Sequence, residues 1–274
     1  MKNQYAVWGN PIAQSRSPEI QQQFANQFGI ALEYERLLGD EVHFEQQLRA
    51  FFERGGQGCN ITAPFKARAF AFADQHSQRC ELAQASNTLK KRPDGSIYAD
   101  NTDGAGLVSD LERLNLLQAG QSILILGAGG ATQGVLLPLL QAGMKVTLAN
   151  RTLTTAQAVA TRFAPFGEID CYGLDAVPEK EYAVVINATS LGLQGKVADI
   201  APHIMQKCGA AYDMQYSKDA PTPFLAFAQK CGLHACFDGF GMLVGQAAHA
   251  FQLWFGHMPA VEPVLMWSES DKTL

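Results

Sequence analysis

Long apolar runs are missing from this chain. No stretch approaches the ~18 residues of a membrane span, and the opening MKNQYAVWGNPIAQ meets Asn10, Pro11 and Gln14 before any run of signal-peptide length. A soluble, cytoplasmic protein is expected. Paired cysteines are missing as well: Cys59, Cys80, Cys171, Cys208, Cys231 and Cys236 show no CxxC spacing. A chain of 274 residues that is 47% apolar can bury a core without a disulfide framework, so free thiols are expected. The six histidines lack metal-ligand spacing, and no metal site is expected. Excess positive charge is absent too. A formal net charge of −5 argues against a nucleic-acid binder and for a small-molecule partner, while leaving room for a local basic pocket that holds one phosphate. The chain contains no internal repeat or low-complexity tract.

What is present is alternation. YAVWG, LEYERLL and GCNIT are strand-like, and SPEIQQQFANQFG, EVHFEQQLRAFFERGG and PFKARAFAFA are helix-like, so strands with crossover helices are expected over the first hundred residues. Asp94-Gly95 between two short strand-like runs predicts a hairpin, and with it an antiparallel edge on an otherwise parallel sheet. Leu107, Leu111, Leu114 and Leu117 then lie on one face of a helix that leads into a second domain. SILILG, KVTLAN, YAVVINAT and GAAYDM are runs suited to strands buried on both faces, which predicts a doubly wound α/β domain. A broad apolar stripe from Phe240 to Phe255 predicts a long helix returning to the first domain. The expected organisation is a discontinuous domain of residues 1–102 plus 240–274, and a Rossmann-type domain of residues 103–239.

SILILGAGGATQG is a strand, a glycine turn and the start of a helix. Gly127 suits the tight turn, and Gly129 lets the backbone approach a pyrophosphate at the helix N-terminus. The third fingerprint position carries Thr132 instead of a small residue, so the match is partial. About 20 residues further on, the second strand of such a unit ordinarily ends in an acid that holds the ribose hydroxyls of NAD. Here the tip reads Asn150-Arg151-Thr152. An arginine reverses that preference, because its planar fork can grip a 2′-phosphate; NADP is therefore expected over NAD. Arg151 has a plainer reading, as a solvated surface charge.

GCNITAPFK predicts a helix starting near Pro64, with Lys66 in its first turn, where a cation is disfavoured. DNTDGAG puts Asp103 at the start of another helix, where a carboxylate is favoured. A base-capable lysine with an orienting aspartate could form a proton-transfer pair. Spacing alone also allows a surface charge and a helix cap.

GNPIAQSRSPEIQ, GCNITAPFK, SNTL, DNTDGAG, GAGGA, NRT, NATSLG, YDMQY and DGFGMLVGQAAHAF occur in an order that resembles the shikimate dehydrogenase family over nearly the whole chain. The resemblance implies NADP-dependent interconversion of 3-dehydroshikimate and shikimate in aromatic amino-acid biosynthesis. It implies an N-terminal α/β substrate domain, a C-terminal Rossmann-type NADP-binding domain and last helices that return to the first domain. Lys66 and Asp103 match the catalytic pair. Ser15 and Ser17 match the groups that hold the substrate carboxylate, and Thr62, Asn87, Asp103, Tyr216 and Gln246 those that hold carboxylate or ring hydroxyls. Read alone, Ser17 could equally be a helix cap and Gln246 a polar residue at the wet edge of its helix. On the cofactor side Gly127, Ala128, Gly129, Gly130 and Ala131 match the phosphate-binding turn, Asn150, Arg151 and Thr152 the adenosine-phosphate clamp, and Met214 and Gly239 the approach to the nicotinamide. Many members carry a second basic residue shortly after NRT. This chain continues LTTAQ, leaving Thr155 as a hydroxyl donor. Two other readings stay open, a quinate/shikimate dehydrogenase that also uses NAD and a non-catalytic NADP-binding sensor on the same fold; a homodimer is also open.

Overall fold

The computed structural model describes residues 3–270. They divide into two compact units: the first runs to Gly106 and resumes at Val244, and the second is Leu107–Leu243. No helix of the described residues is long and apolar enough to cross a membrane.

In the first unit the elements are β1 (Asn3–Gly9), α1 (Ser17–Gln27), β2 (Leu32–Leu38), α2 (Phe44–Glu53), β3 (Gly58–Ile61), α3 (Lys66–Phe72), β4 (Gln75–His76), α4 (Gln78–Ala83), β5 (Thr88–Lys91) and β6 (Ile97–Asp100). They build a six-stranded sheet in the order β2-β1-β3-β5-β6-β4. The pairs β1–β2 and β1–β3 are parallel, and the order reverses at β1. Loops leaving the carboxyl ends of β1 and β3 therefore meet at a topological switch point, where open α/β sheets bind ligands. The Asn10 N–H donates to the Ala63 carbonyl at 3.1 Å, joining those two loops.

The expected hairpin is β5–β6, antiparallel, with Gly95 at φ +87 and the Asp94 carboxylate accepting from the Ser96 N–H at 2.9 Å. It is not the sheet edge. The two-residue β4 pairs parallel with β6 beyond it, a strand too short to leave a period in the sequence.

Trp8, Phe44, Leu48, Phe51, Cys59 and Phe65 belong to the core on one face of this sheet. Phe65 is fully buried and stacks on Phe44 with ring centroids 4.2 Å apart. That anchor fixes where α3 begins, and the helix starts at Lys66, not at Pro64. The other face takes α10 (Phe240–Phe255), whose Trp254 indole N–H donates to the Leu89 carbonyl at 3.0 Å.

Beneath the end of β6, Arg79 grips the Asp100 carboxylate through Nε at 2.7 Å and NH2 at 2.6 Å, and the Ser77 hydroxyl adds a third bond at 2.6 Å. Burial alone would raise the Asp100 carboxyl; the Arg79 bonds and charge, then Ser77 and the Asn101 N–H, outweigh it and hold it below the ordinary value. A depressed folded value means that this carboxylate contributes stability above the unfolded value of about 4 and loses it as pH falls toward the folded one. Asp100→Asn is expected to flatten the fall in stability below about pH 4 by up to one proton's worth, about 1.4 kcal/mol per pH unit. Urea midpoints measured from pH 3 to 7 check this.

The second unit contains β7 (Ser122–Leu126), α6 (Gly130–Gln141), β8 (Lys145–Ala149), α7 (Leu153–Phe163), β9 (Ile169–Tyr172), β10 (Tyr182–Asn187), α8 (Pro202–Met205), β11 (Cys208–Asp213), α9 (Pro223–Lys230) and β12 (Cys236–Phe237). All its strand pairs are parallel, in the order β9-β8-β7-β10-β11-β12. Four of these strands are the expected apolar runs. β9 and β12 are the half-exposed edges, and edges do not read as continuous apolar stretches. The linking helix α5 (Asp103–Arg113) buries Leu107 and Leu111 completely. It stops before Leu114 and Leu117, and Asn115 turns left-handed at φ +57, so the expected helical face is two leucines shorter. A last helix, α11 (Glu262–Ser270), follows α10.

Candidate active site

The first unit holds seven of the expected residues, three of them at helix starts. Lys66 is the first residue of α3 and Asp103 the first of α5, and the Lys66 amine donates to Asp103 Oδ2 at 2.6 Å. Asn87 holds the other carboxylate oxygen, its Nδ2 donating to Asp103 Oδ1 at 2.8 Å. The same amide donates to Gln246 Oε1 at 3.2 Å, while its oxygen accepts from the Thr102 N–H at 2.8 Å. Asn87 is thus the hub that orients the aspartate. Gln246 reaches it because α5 and α10 cross at glycines: a Cβ on Gly106 would lie 2.3 Å from the Gln246 nitrogen, and one on Gly245 would lie 2.8 Å from the Gly106 carbonyl.

Ser15 and Ser17 lie with their hydroxyls 3.2 Å apart, and the Ser17 N–H donates to Ser15 Oγ at 3.3 Å. Ser17 is the first residue of α1, whose N-cap position is Arg16, so the capping role does not apply. Thr62 follows β3, its N–H donating to the Trp8 carbonyl at 2.8 Å, and its methyl packs over Gly9, where a Cβ would meet it at 2.5 Å.

Asn60 has no assigned role in the sequence reading. It takes a bond from the Tyr34 hydroxyl at 2.7 Å and donates to the Asn87 carbonyl and Thr88 Oγ1 at 3.2 and 3.1 Å. Its signal was available, since an amide in a fully buried strand must find partners. His249, one turn beyond Gln246, is mostly buried; burial and then the Arg79 charge push its pKa down.

In the second unit the glycine turn leaves β7 at the switch point between β7 and β10. Gly127 sits at φ +101, and its Cβ would lie 2.9 Å from the Thr189 methyl. Cβ atoms on Gly129 or Gly130 would meet nothing within 4 Å. Those two glycines and Ala131 are exposed while Ala128 is buried, and α6 begins at Gly130 without a side-chain cap. Open space before uncapped N–H groups fits a bound pyrophosphate.

Thr132, the odd residue of the fingerprint, is fully buried and its hydroxyl donates to the Gly127 carbonyl at 2.6 Å. It ties the turn from beneath. Thr132→Val is expected to cost about 1–3 kcal/mol, the penalty for a buried partner left unpaired, and a lower urea midpoint with unchanged slope checks it.

Asn150 links the turn to the strand tip: its Oδ1 accepts from the Ala128 N–H at 3.2 Å and its Nδ2 donates to the Thr152 carbonyl at 2.8 Å. Arg151 is exposed and has no hydrogen-bond or ion-pair partner among the described residues. Thr152 is the N-cap position of α7, without a side-chain cap bond, and Thr155 lies exposed in its first turn. Met214 and Gly239 are brought together, a Cβ on Gly239 falling 2.3 Å from the Met214 carbonyl. Tyr216 is 39% exposed, with its ring edge-on to Phe240 at 5.8 Å. Asp213, also unassigned from sequence, fixes this end of β11: it accepts from Asn187 at 3.0 Å, Thr222 at 2.6 Å and the Gln215 N–H at 3.0 Å. Burial raises its carboxyl against those three bonds.

Strand order and glycine turn define the class, an α/β protein with a Rossmann-type second unit. Three family models match the chain: the shikimate dehydrogenase substrate binding domain over residues 7–89, shikimate/quinate 5-dehydrogenase over 112–193, and the shikimate 5'-dehydrogenase C-terminal domain over 239–266. A shikimate dehydrogenase (NADP(+)) of Pasteurella multocida is 60% identical over 263 residues, covering 96% of this chain and 98% of that one. Its counterpart in Histophilus somni is 58% identical, over 97% and 98%. Among solved structures, an Ael1 enzyme from Pseudomonas putida aligns with a TM-score of 0.91 at 40% identity, over 97% and 98% of the two chains. Shikimate 5-dehydrogenase from Thermus thermophilus, in complex with NADP(H) and shikimate, aligns at 0.84 and 30%, over 98% and 99%. The chain belongs to the shikimate dehydrogenase family.

Proposed function

We propose that this protein carries out the reversible NADPH-dependent reduction of 3-dehydroshikimate to shikimate, with residues 1–102 and 240–274 holding the substrate and 103–239 the cofactor. The observation that carries the reading is the Lys66–Asp103 pair at 2.6 Å, oriented by Asn87, in a chain whose curated relatives are named for this activity. Lys66 takes the proton from the substrate hydroxyl in the oxidative direction and returns it in the reductive one. Asp103 orients the amine and accepts a hydrogen bond from the substrate. Ser15 and Ser17 donate to the carboxylate, and Thr62, Asn87, Gln246 and Tyr216 exchange hydrogen bonds with carboxylate or ring hydroxyls; a site built to pair each of those groups rejects analogues that lack them.

NADP, when bound, supplies the hydride chemistry. The turn from Gly127 to Ala131 would receive its pyrophosphate, with the exposed Gly129, Gly130 and Ala131 offering backbone N–H groups; Arg151 with Thr152 and Thr155 would hold the adenosine phosphate on a tip that Asn150 ties to the turn, and Met214 and Gly239 would border the nicotinamide. A 340 nm assay of shikimate with NADP, run beside shikimate with NAD and quinate with either cofactor, tests the assignment. The reading expects the highest kcat/KM for shikimate with NADP. Equal use of quinate and NAD would point to the broader-specificity enzyme, and binding of NADP without turnover would point to a sensor.

A further inference from the structure

We infer that Arg36 is a positioning residue for substrate binding, holding the Ser15 main chain so that the Ser15–Ser17 hydroxyl pair can receive the substrate carboxylate; this rests on the proposed role of those serines. Arg36 lies on β2, in register with Val7 of β1, and its guanidinium reaches the loop that leaves β1. Its Nε donates to the Ser15 carbonyl at 2.7 Å, and its NH2 pairs with Glu19 Oε1 in the first turn of α1. One rigid fork thus spans the serine loop and the helix that begins with Ser17.

Stability gives little reason for this arrangement. The Arg36 and Glu19 side chains are 33% and 42% exposed, and an ion pair so exposed contributes at most about 1 kcal/mol. The geometry has a more specific consequence. The Ser15 N–H is tied back to the Ile12 carbonyl at 3.0 Å and its hydroxyl meets the Ser17 hydroxyl at 3.2 Å and the Ser17 N–H at 3.3 Å, and the Arg36 bond adds a hold on the Ser15 carbonyl from outside the loop. Releasing the carbonyl loosens the peptide plane that joins Ser15 to Arg16, and with it the spacing of the two hydroxyls. Glu19 holds the guanidinium in place from the other side; its second oxygen is buried and has no hydrogen-bond partner, leaving Arg36 as its partner among the described residues.

The test uses Arg36→Met, Arg36→Lys, Ser15→Ala and the double variant Arg36→Met/Ser15→Ala in the full-length enzyme, with kcat and the separate KM values for shikimate and NADP. Losing one well-placed hydrogen bond corresponds to about tenfold in binding. Arg36→Met is expected to raise the shikimate KM by about that factor, with kcat and the NADP KM within about twofold. Lysine is expected to recover only part of the loss, because one ammonium cannot replace the planar fork. The double variant is expected to be no worse than Ser15→Ala alone, as for two residues acting through one contact. If Ser15→Ala raises the shikimate KM and Arg36→Met does not, the inference fails and the serine reading stands. If Ser15→Ala leaves KM unchanged, the serine reading fails and the inference with it. Multiplying effects in the double variant, or a fall in kcat and thermal midpoint together, would likewise overturn it.

Discussion

Lys66→Ala is expected to lower kcat by about 10²–10⁴-fold, the usual contribution of a positioned general acid–base group, while changing the shikimate KM only a few-fold. The split follows from what surrounds the amine. Lys66 donates to Asp103 Oδ2, but Asp103 is also held at Oδ1 by Asn87, and Asn87 is fastened to Thr102 and Gln246. Truncating the lysine leaves that network standing, so the groups proposed to bind the substrate stay in place while the proposed proton acceptor is gone. Phe65, buried against Phe44, keeps α3 where it was. A loss confined to kcat marks an interaction made in the transition state. Steady-state rates at 340 nm check it, and turnover within threefold of the parent enzyme would remove Lys66 from the mechanism.

Legibility in the sequence followed burial and length. Strands buried on both faces, such as SILIL and YAVVIN, stood out as apolar runs, and the Asp94-Gly95 turn announced its hairpin. The half-exposed β9, β12 and β4 left no period to detect. Their absence from the reading hid the full strand order, and with it the two switch points that place the loops. Among site residues, those at helix starts or in a glycine turn could be located from local rules: Lys66, Asp103, Gly127. The partners that orient them could not, because Asn87 meets Asp103 across 16 residues and Gln246 across 159, contacts that no local pattern encodes. Thr132 shows the limit from the other side. As a motif it read as a defect in the fingerprint, and only the buried bond to the Gly127 carbonyl reveals it as part of the turn.

Arg151→Ala is expected to lower kcat/KM with NADP by about 10–150-fold, the loss of charge-assisted bonds to a phosphate of about 1.5–3 kcal/mol, and to leave kcat/KM with NAD within about threefold. In the proposed reading the discrimination rests on one side chain. Arg151 is exposed and unpaired among the described residues, so nothing has to be broken before it grips a phosphate, and it stands directly before the uncapped start of α7, which also favours an anion. Asn150 is committed elsewhere, bonded to the Ala128 N–H and the Thr152 carbonyl; its contribution is to hold the tip against the glycine turn, and Asn150→Ala would disturb both cofactors alike. Thr154 and Thr155 are exposed on the first turn of α7, close after Arg151 in the chain, so Thr155→Arg should raise the NADP/NAD ratio in the parent and partly restore it beside Arg151→Ala. Initial rates with both cofactors decide the matter: an unchanged NADP/NAD ratio in Arg151→Ala would show that the phosphate is held by backbone and hydroxyl donors alone.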